Sequence, residues 1–483
     1  MSNTASASWP LVLDLDGTFI KTDSLDETFF DTLRRDPLSI WKTPIELARG
    51  RARLKAYLAA KSSLEIDTWP VKKELLDYVK QQFEAGRKIV LATAADRKIA
   101  EAFAGHYPFI SEVIASDSAL NLKGERKAKR LRERFPEGFI YAGDSASDIA
   151  VWREAKGSIL VDAPDHVIKR VRSLKEPLAV FSSQRGIASV LRRSLRLHQW
   201  AKNALLFVPL ILGGKALDGE AWITALFGFI AMGLAASATY VVNDLWDLPS
   251  DRRHWSKRHR PLASGELSIR EGLYLTGGGL ALAFTIAASI GHAAVLMLAC
   301  YVAVTLSYSF RLKRAPVLDV FILASLFTLR LAFGIVLADV RISPWLLVFS
   351  MFVFGSLSIA KRHTEVLRLA ERGLDSMPGR GYRQADAPLT LGLGLASMMG
   401  AILIMVLYLV EDAFPRGFYN HPKFLWAVPA ILFLFLGRIW LKSQRGELHD
   451  DPVAFALKDK TSLALGAMMV LSFMLALFSP VSL

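Results

Sequence analysis

The sequence has little cysteine and no charged tail of the kind that binds nucleic acid. Its single cysteine, Cys300, lies inside an apolar run, which excludes disulfides within the chain and cysteine metal clusters. The net charge is +14, but no recognition motif accompanies the basic residues, so we expect no nucleic-acid partner. The start, MSNTASASWPLVLDLDG, lacks the charged end and apolar core of a secretory signal, so we expect the first domain to stay in the cytosol.

Charged residues become scarce in long stretches after about residue 200. The 483 residues are 52% hydrophobic, which is too apolar for a wholly soluble protein. Apolar runs of membrane-spanning length begin after Trp200, whereas the preceding sequence is mixed and charged. We therefore predict a soluble domain at 1–180, a basic amphipathic linker helix at 181–200 and a membrane domain at 201–483. The linker fits either a helix lying in the bilayer interface or one packed on the first domain.

Short apolar runs that end in polar residues alternate with helical patterns in the first 180 residues. This alternation predicts an α/β fold with a doubly wound parallel sheet, in which ligands bind beyond the carboxyl ends of the strands. The polar residues at the predicted strand ends are Asp14, Asp16, Thr93, Asp144 and Asp148. A helical insert at about 20–85 interrupts the pattern after the first strand. We expect the site at this edge of the sheet.

The ordered set of DLDGT, a strand-end Thr, Lys123 in NLKGERK and GDSASD resembles the haloacid dehalogenase (HAD) phosphatase superfamily. The resemblance implies that Asp14 attacks phosphorus and that Asp16 protonates the leaving oxygen and then activates water. Thr93 and Lys123 would hold the phosphoryl oxygens. The implied Mg²⁺ ligands and their supporting residue are Asp14, Asp16, Asp144 and Asp148. Two interpretations stay open: an active phosphatase, and a domain that keeps the motifs but only docks to the membrane half.

In the resembled superfamily, the position of the helical insert carries a small cap that selects the substrate. Here the insert is rich in arginine and lysine with interleaved leucine, tryptophan and phenylalanine. Such a cap suits a phosphorylated amphiphile near a bilayer, and an ordinary solvated helix face explains the pattern equally well.

The membrane half contains about nine apolar segments, which predict an all-α multi-pass bundle. They centre near residues 209, 231, 280, 300, 328, 352, 400, 432 and 471. The loops after the even-numbered segments are long and basic, which places the N-terminus inside and the C-terminus outside. We expect an integral protein of the inner or plasma membrane.

One apolar segment ends in YVVNDLWDLPSDRRHWSKRHRPLASG, where carboxylates precede a basic run. Asn243, Asp247 and Asp251 are four apart and share one face if the helix continues, although Pro249 would allow Asp251 to come from a turn. Carboxylates at a membrane border are costly unless paired or bound to metal. With Asp244, these residues predict Mg²⁺ bridging to a diphosphate. The basic residues expected around that anion are Lys257, Arg258 and Arg260.

This stretch resembles the N-D-x-x-D-x-x-x-D motif of the UbiA superfamily of intramembrane prenyltransferases, and the resemblance covers about Leu195 to Ser482. Members that act on aromatic acceptors carry a second motif with paired aspartates. The equivalent stretch here, LSYSFRLKRAPVLDVFILASLFTLR, has one carboxylate, Asp319. With HQWAKN and AKRHTEV, it is more similar to the decaprenyl-phosphate phosphoribosyltransferase branch.

That branch implies two substrates, phosphoribosyl diphosphate and a polyprenyl phosphate whose phosphate attacks the anomeric carbon. Lys313 and Arg258 would neutralise the leaving diphosphate, and Asp319 or Tyr308 would stabilise the developing positive charge. The candidates for binding the 5-phosphate or the lipid phosphate, which also fit simple interface anchoring, are Lys361, Arg362 and Lys460.

The fusion predicts two consecutive steps. The membrane half would make polyprenyl-phosphoryl-5-phosphoribose, and the phosphatase would remove the 5-phosphate, with Mg²⁺ in both domains. The alternative is prenyl transfer to an aromatic or other acceptor, with a HAD domain that acts on another substrate or serves as a scaffold.

Overall fold

The computed structural model describes residues 9–63, 65–183, 186–371, 373, 375–377, 380–417, 419–448, 452–456 and 458–479. The chain forms two compact units. The first contains Met1–Leu195 with Tyr240–Thr276, and the second contains Arg196–Thr239 with Gly277–Leu483. The ends of the predicted domains, at 1–8 and 480–483, lie outside the described residues.

The first unit contains the predicted parallel sheet. Its six strands are β1 (Leu11–Leu13), β2 (Ile89–Asp96), β3 (Ile110–Ser116), β4 (Ile140–Gly143), β5 (Gly157–Val161) and β6 (Ala179–Phe181). Their order is β3-β2-β1-β4-β5-β6, and every pairing is parallel. Leu11 and Leu13 enter the hydrophobic cluster on one face and Val12 enters the other, as strand alternation requires. The prediction of an α/β doubly wound sheet is confirmed.

Helices cover both faces of the sheet and form the insert after β1. The helices of the insert are α1 (Ser24–Arg35), α2 (Thr43–Ala48), α3 (Arg51–Lys61) and α4 (Lys73–Glu84). Those that follow are α5 (Arg97–Ala104), α6 (Glu125–Arg134), α7 (Ile149–Glu154), α8 (Asp165–Arg172) and α9 (Ile187–Ser194). Val190 of α9 is buried in a cluster with Phe30, Leu245 and Leu262. α9 thus packs against the helical insert and against the stretch that follows α11, and the role of the basic linker stays a prediction.

The remaining helices are mostly long and apolar. They are α10 (Val208–Leu212), α11 (Gly219–Trp246), α12 (Leu248–Arg253), α13 (Ile269–Ile290), α14 (His292–Phe310), α15 (Leu318–Ala338), α16 (Pro344–Glu371), α17 (Ala387–Tyr408), α18 (Ala427–Gln444), α19 (Pro452–Ala456) and α20 (Lys460–Phe478). Within the described ranges, eight helical stretches are long and apolar enough to cross a membrane. The predicted multi-pass helical bundle is confirmed.

The predicted segment near residue 209 is not among those eight. It forms a 3₁₀ helix at Leu197–Phe207 followed by the short α10. The indole of Trp200 donates to the Ser237 hydroxyl at 2.9 Å, and the ring of Phe207 stacks on Trp222 at 5.4 Å. Ser237 and Trp222 are separated by roughly 22 Å along a helix, at ~1.5 Å per residue. The segment therefore lies antiparallel to α11 over much of a bilayer core, although it is not one regular helix.

Candidate active sites

The predicted acidic residues of the first unit meet at the edge of the sheet. β1 and β4 are neighbours, so Asp14 and Asp144 follow adjacent strands. Carboxylate oxygens of Asp14, Asp144 and Asp148 all lie within 4.8 Å of one another. Asp148 accepts from the hydroxyl of Tyr141 at 2.8 Å and from the hydroxyl of Ser145 at 2.9 Å. Three hard oxygen donors at this spacing form a donor set that suits Mg²⁺.

The lysine at this carboxylate group is Lys127, whereas the sequence-based interpretation assigned Lys123. Lys127 Nζ lies 2.8 Å from Asp14 Oδ2 and 3.8 Å from Asp148 Oδ1, and its side chain is 2% exposed. Lys123 precedes α6 and is exposed. The amphipathic pattern of α6 contained the signal, because Lys127 stands one turn before Leu131 on the buried face.

The electrostatics of the group fit a bound cation. Burial, followed by the charges of Asp14 and Asp148, raises the pKa of Asp144 to about 7. Burial opposes the charge on Lys127, but Asp14 and Asp148 together outweigh it and raise the pKa of the lysine. A divalent cation beside these carboxylates would favour their charged forms.

Asp16 and Thr93 each accept a hydrogen bond from the nearby backbone. The carboxylate of Asp16 accepts from the Ser24 backbone N–H at 2.8 Å and from the Ser24 hydroxyl at 3.0 Å, which fastens it to the start of α1. Burial, with the nearby charge of Asp23 next, raises the pKa of Asp16 to about 7. Thr93 is fully buried near the end of β2, where its hydroxyl accepts from the Ala95 backbone N–H at 3.0 Å.

The structure explains why the motif DLDGT has a glycine at position 17. The φ of Gly17, +71°, disfavours other residues, and a Cβ there would fall 2.4 Å from Asp144 Oδ2. The next residue, Thr18, donates its hydroxyl to Asp144 Oδ1 at 3.1 Å, a contact that the sequence analysis did not predict.

The aspartate-rich stretch keeps its helical spacing. The backbone N–H of Asp247 donates to the carbonyl of Asn243 at 2.9 Å, and that of Asp251 donates to Asp247 at 2.9 Å. Pro249 lies in the first turn of α12, where a proline is tolerated because its missing N–H needs no partner. Asp251 therefore comes from a helix rather than from a turn.

Arg260 connects two of the carboxylates. Its Nη1 lies 2.9 Å from Asp244 Oδ1 and 2.6 Å from Asp251 Oδ2, so one nitrogen of the guanidinium is paired with both acids. Lys257 Nζ lies 3.7 Å from Asp251 Oδ1, and Arg258 is exposed. Asn243 and Asp247 are half-buried and make contacts of their own.

Asp251 offers a buried oxygen to a cation. Its Oδ1 is buried and has no hydrogen-bond partner among the residues that the structure covers. Burial raises the pKa of this carboxyl, although Arg260 and Lys257 act in the opposite direction. A buried carboxylate oxygen that lacks a hydrogen bond is costly, and a bound Mg²⁺ would relieve that cost. The site therefore fits the expected metal.

The helical insert holds this stretch directly. Arg252 forms a two-point ion pair with Glu27, with N–O distances of 2.6 and 3.1 Å, and both side chains are at least 96% buried, at 4% and 2% exposed. Arg34 Nη1 donates to the carbonyl of Trp246 at 3.3 Å. Arg270 pairs with Asp23 at 2.9 Å. All these residues belong to the first compact unit, and the sequence analysis predicted none of these contacts.

In the second unit, Asp319 is the centre of a polar group at the start of α15. It accepts from Arg362 Nε at 2.7 Å, from the hydroxyl of Tyr382 at 2.7 Å and from Arg380 Nη1 at 3.3 Å. Arg380 also donates to the Tyr308 hydroxyl at 3.0 Å. Tyr308, Asp319 and Arg362 were predicted site residues and lie together here.

The exposure of Asp319 differs from the sequence-based expectation. Its side chain is 0% exposed, and two arginines neutralise its charge. A carboxylate that faces a developing positive charge needs access to it, so the structure instead favours Asp319 as a positioning residue for Arg362 and Arg380.

Arg380 and Tyr382 were missed by the sequence analysis. They lie on the loop after α16, where the Tyr382 hydroxyl also accepts from the Val317 backbone N–H at 2.9 Å. Between them, Gly381 passes so close to the chain that a Cβ would lie 2.7 Å from the Arg314 carbonyl oxygen. The tripeptide RGY was the available signal, but it has no periodicity or spacing that points to Asp319.

Three predicted basic residues remain outside the contacts described. Lys313 is half-buried in a turn at Leu312–Arg314, and Lys361 is half-buried beside Arg362 on α16. Lys460 is exposed at the first residue of α20. Their assignment to phosphate binding stays a prediction.

Comparisons with known proteins agree with both resemblances. The model of the UbiA prenyltransferase family matches residues 206–479, and that of haloacid dehalogenase-like hydrolase matches residues 11–153. The chain is 43% identical over 470 residues to Uncharacterized protein y4nM of Sinorhizobium fredii, covering 97% of this chain and 91% of that protein. It is 31% identical over 279 residues to decaprenyl-phosphate phosphoribosyltransferase of Mycobacterium tuberculosis, covering 56% of this chain and 87% of the relative.

Among solved structures, a UbiA homolog from Archaeoglobus fulgidus bound to GPP and Mg²⁺ is similar to 59% of this chain and 96% of its own, with 18% identity and a TM-score of 0.46. The matched family model covers more than half of the chain, and its helices are those that are long and apolar enough to cross a membrane. The chain is therefore an integral membrane protein of the UbiA prenyltransferase family, with a haloacid dehalogenase-like domain at its N-terminus.

Proposed function

We propose that the chain is a bifunctional membrane enzyme that makes a polyprenyl-phosphoryl ribose in two steps. Its UbiA part transfers 5-phosphoribosyl from phosphoribosyl diphosphate to a polyprenyl phosphate, and its phosphatase part removes the 5-phosphate. The observation that carries the proposal is the buried Glu27–Arg252 pair, which joins the insert of the phosphatase fold to the aspartate-rich stretch within one compact unit. The similarity to decaprenyl-phosphate phosphoribosyltransferase supports the choice of substrates.

In the transfer step, an oxygen of the lipid phosphate forms a bond to the anomeric carbon of the ribose. The bond from that carbon to the diphosphate oxygen breaks, and diphosphate leaves with the electron pair. Asn243, Asp247 and Asp251 are proposed to hold the diphosphate through Mg²⁺, which would neutralise the charge that develops on the leaving group. The buried Oδ1 of Asp251, which accepts no hydrogen bond among the described residues, supports this assignment.

The residues around Asp319 are proposed to hold a phosphate of a substrate. Arg380 is the cation of this group that reaches solvent, because its side chain is 26% exposed while Asp319 fixes its guanidinium. Arg362 is 2% exposed and pairs with both Asp319 and Glu365, so it supports the group from within. A fixed guanidinium binds phosphate with less loss of side-chain entropy than a free one. Asp319 and Tyr382 would act by positioning Arg380.

In the phosphatase step, an Asp14 oxygen forms a bond to the phosphorus of the 5-phosphate as the bond to the ribose oxygen breaks. Asp16 gives its proton to that leaving oxygen and later takes a proton from the water that cleaves the aspartyl-phosphate. The water oxygen ends on inorganic phosphate, and Asp14 is regenerated. Lys127, 2.8 Å from Asp14, would neutralise the charge of the transferring group. Ser24 orients Asp16.

The same arrangement supports a phosphatase domain on the cytosolic side of the inner or plasma membrane. Residues 1–195 and 240–276 belong to one compact unit, which supports placing the phosphatase fold on the membrane side where the loop between α11 and α13 emerges. The stretch DRRHWSKRHR in that unit is basic, as cytosolic loops are. The irregular segment at 197–212 would provide the return crossing that this topology requires.

The transfer step is tested by adding Mg²⁺, a polyprenyl phosphate and phosphoribosyl diphosphate labelled in the ribose to purified protein in detergent. We expect label in the lipid phase, and chelation of Mg²⁺ should remove it. A parallel reaction with a prenyl diphosphate and an aromatic acid tests the alternative. Prenylated acid without ribosylated lipid would overturn the proposal in favour of prenyl transfer to an aromatic acceptor.

A further inference from the structure

A basic cleft lies in the first compact unit, lined by residues of the helical insert and of the segment that includes the start of α6. Its volume is about 760 Å³, and it lies between the loop that joins α2 to α3 and the segment that leads into α6. The basic residues that line it are Arg49, Arg51, Arg53 and Arg126. Ser118 and Asn121 add polar groups on the side of α6. No residue of this cleft has a role in the reaction steps described above.

The cleft also contains one acid, Glu46, but three of its four arginines have no acidic partner among the described residues. Arg49 pairs with Glu46 at 2.9 Å. Across the part of the chain that the structure describes, no carboxylate lies within 4.0 Å of the guanidinium groups of Arg51, Arg53 or Arg126. Like charges that face one concave surface repel each other and concentrate anions there. A ligand with negative charge would relieve this repulsion.

Each wall of the cleft contains a residue that is close in sequence to a lysine of the phosphatase site. On one wall, Arg126 immediately precedes Lys127, which contacts Asp14. On the other wall, α3 begins at Arg51 and carries Lys55 one turn later, roughly 6 Å along the helix axis. Lys55 Nζ donates to the carbonyl of Ala94, next to Thr93, at 2.5 Å. Lining residues of the cleft thus stand next to Lys127 in the sequence, or one helical turn from a lysine that contacts the backbone beside Thr93.

We infer that this cleft binds a second anionic group, a phosphodiester, of the same molecule whose phosphomonoester reacts at Asp14. The inference rests on the proposed function, because the product of the transfer step carries a phosphomonoester at C5 of ribose and a phosphodiester at C1. The substrate class is thus a sugar phosphomonoester with a second phosphate on the same sugar. Arg51 and Arg126, one on each wall, are the specificity-determining residues.

The surface next to the cleft favours a lipid-linked substrate over a soluble one. The turn and short helix before Arg49 expose large apolar side chains, and Trp41 is 80% exposed. The others are Leu38, Ile45 and Leu47. Exposed apolar residues beside unpaired arginines match a molecule with an anionic head and an apolar chain.

The test compares phosphate release from three compounds by the full chain in detergent. They are ribose 5-phosphate, a methyl-phosphoryl ribose 5-phosphate, and the same diester with a short isoprenyl chain. We expect kcat/KM to be at least about tenfold higher for the diesters than for ribose 5-phosphate, since hydrogen bonds to charged groups commonly contribute that factor. Equal preference for both diesters would assign recognition to the phosphate alone, and a larger preference for the isoprenyl diester would identify a lipid substrate.

Substitutions in the cleft test which residues cause the preference for diesters over ribose 5-phosphate. Arg51→Gln and Arg126→Gln should each lower the ratio of kcat/KM between diester and ribose 5-phosphate by about tenfold, mainly through KM. Lys80→Gln, an exposed cation on α4, is the matched control and should leave the ratio unchanged. A parent enzyme that hydrolyses ribose 5-phosphate without preferring diesters would overturn the inference alone. Failure to release phosphate from all three compounds would overturn the proposed phosphatase function as well.

Discussion

Glu27 and Arg252 lie 225 positions apart in the sequence and form a buried two-point ion pair. Glu27 stands one turn into α1, whose first residue, Ser24, is held by Asp16. Arg252 directly follows Asp251. A single helix thus connects the acid–base residue proposed for the phosphatase with the carboxylates proposed for the transferase. This connection gives a physical reason for the two activities to share a chain.

Removing one member of this pair should destabilise the first unit. Glu27→Ala leaves Arg252 buried without its partner, which typically costs about 3–5 kcal/mol. Thermal unfolding in detergent should show a large loss of stability, together with a higher KM for phosphoribosyl diphosphate. Glu65→Ala is the matched control, because the Glu65–Arg253 pair is exposed and such pairs contribute at most about 1 kcal/mol. Similar losses for the two variants would contradict the importance of the buried pair.

Two substitutions can distinguish Lys127 from Lys123 as the lysine that acts in the phosphatase site. Lys127→Met should lower phosphate release by about 10²–10³-fold, because it removes the cation that contacts Asp14. Lys123→Met should have a much smaller effect, since Lys123 is exposed. Initial rates with a phosphomonoester measure both variants, and circular dichroism checks their folding. The opposite order of effects would restore the sequence-based assignment.

The metal role of Asp251 predicts a change in Mg²⁺ dependence. Asp251→Asn replaces a buried carboxylate that has one oxygen without a hydrogen bond by a weaker ligand, so half-maximal ribosyl transfer should need at least about tenfold more Mg²⁺. Hydrolysis of a soluble phosphomonoester in the same preparation serves as the control for the other metal site. Unaltered Mg²⁺ dependence of transfer would remove Asp251 from the ligand set.

The hydroxyl of Tyr382 should matter through the groups that it positions. Tyr382→Phe removes the bond to Asp319 and the bond from Val317, at a cost of about 1–3 kcal/mol for the unpaired buried groups. Ribosyl transfer should fall while phosphate release is retained. Tyr274→Phe, at a tyrosine that is 78% exposed, provides the control. Loss of both activities in Tyr382→Phe would indicate general unfolding instead of a local role.

The sequence predicted those parts of the sites that follow from local pattern. Asp14 and Asp144 were placed together because apolar strands precede both of them and parallel strands end at a common edge. Lys127 was missed because a motif match to NLKGERK took priority over the amphipathic pattern of α6. Arg380 and Tyr382 reach Asp319 through a loop that follows a different helix, and no local pattern encodes that contact. The contacts of Glu27 and Arg252 are equally non-local.

The irregular segment before α11 shows another limit of prediction from the sequence. Its hydrophobicity predicted a membrane segment, and its contacts from Ser237 to Trp222 agree with one. Its helical type was not predictable, because apolar content does not distinguish a 3₁₀ helix followed by a short α-helix from one regular helix.

The order of the two steps is the central claim, and one comparison tests it most directly. Parent protein and the Asp14→Asn variant are each given Mg²⁺, a polyprenyl phosphate and labelled phosphoribosyl diphosphate, and the lipid products are weighed by mass spectrometry. We predict lipid-linked ribose from the parent and lipid-linked ribose 5-phosphate from the variant, because Asp14→Asn removes the nucleophile of the phosphatase step but leaves the transfer step. Lipid-linked ribose 5-phosphate from both proteins would contradict the account, since the phosphatase would then act on a different substrate.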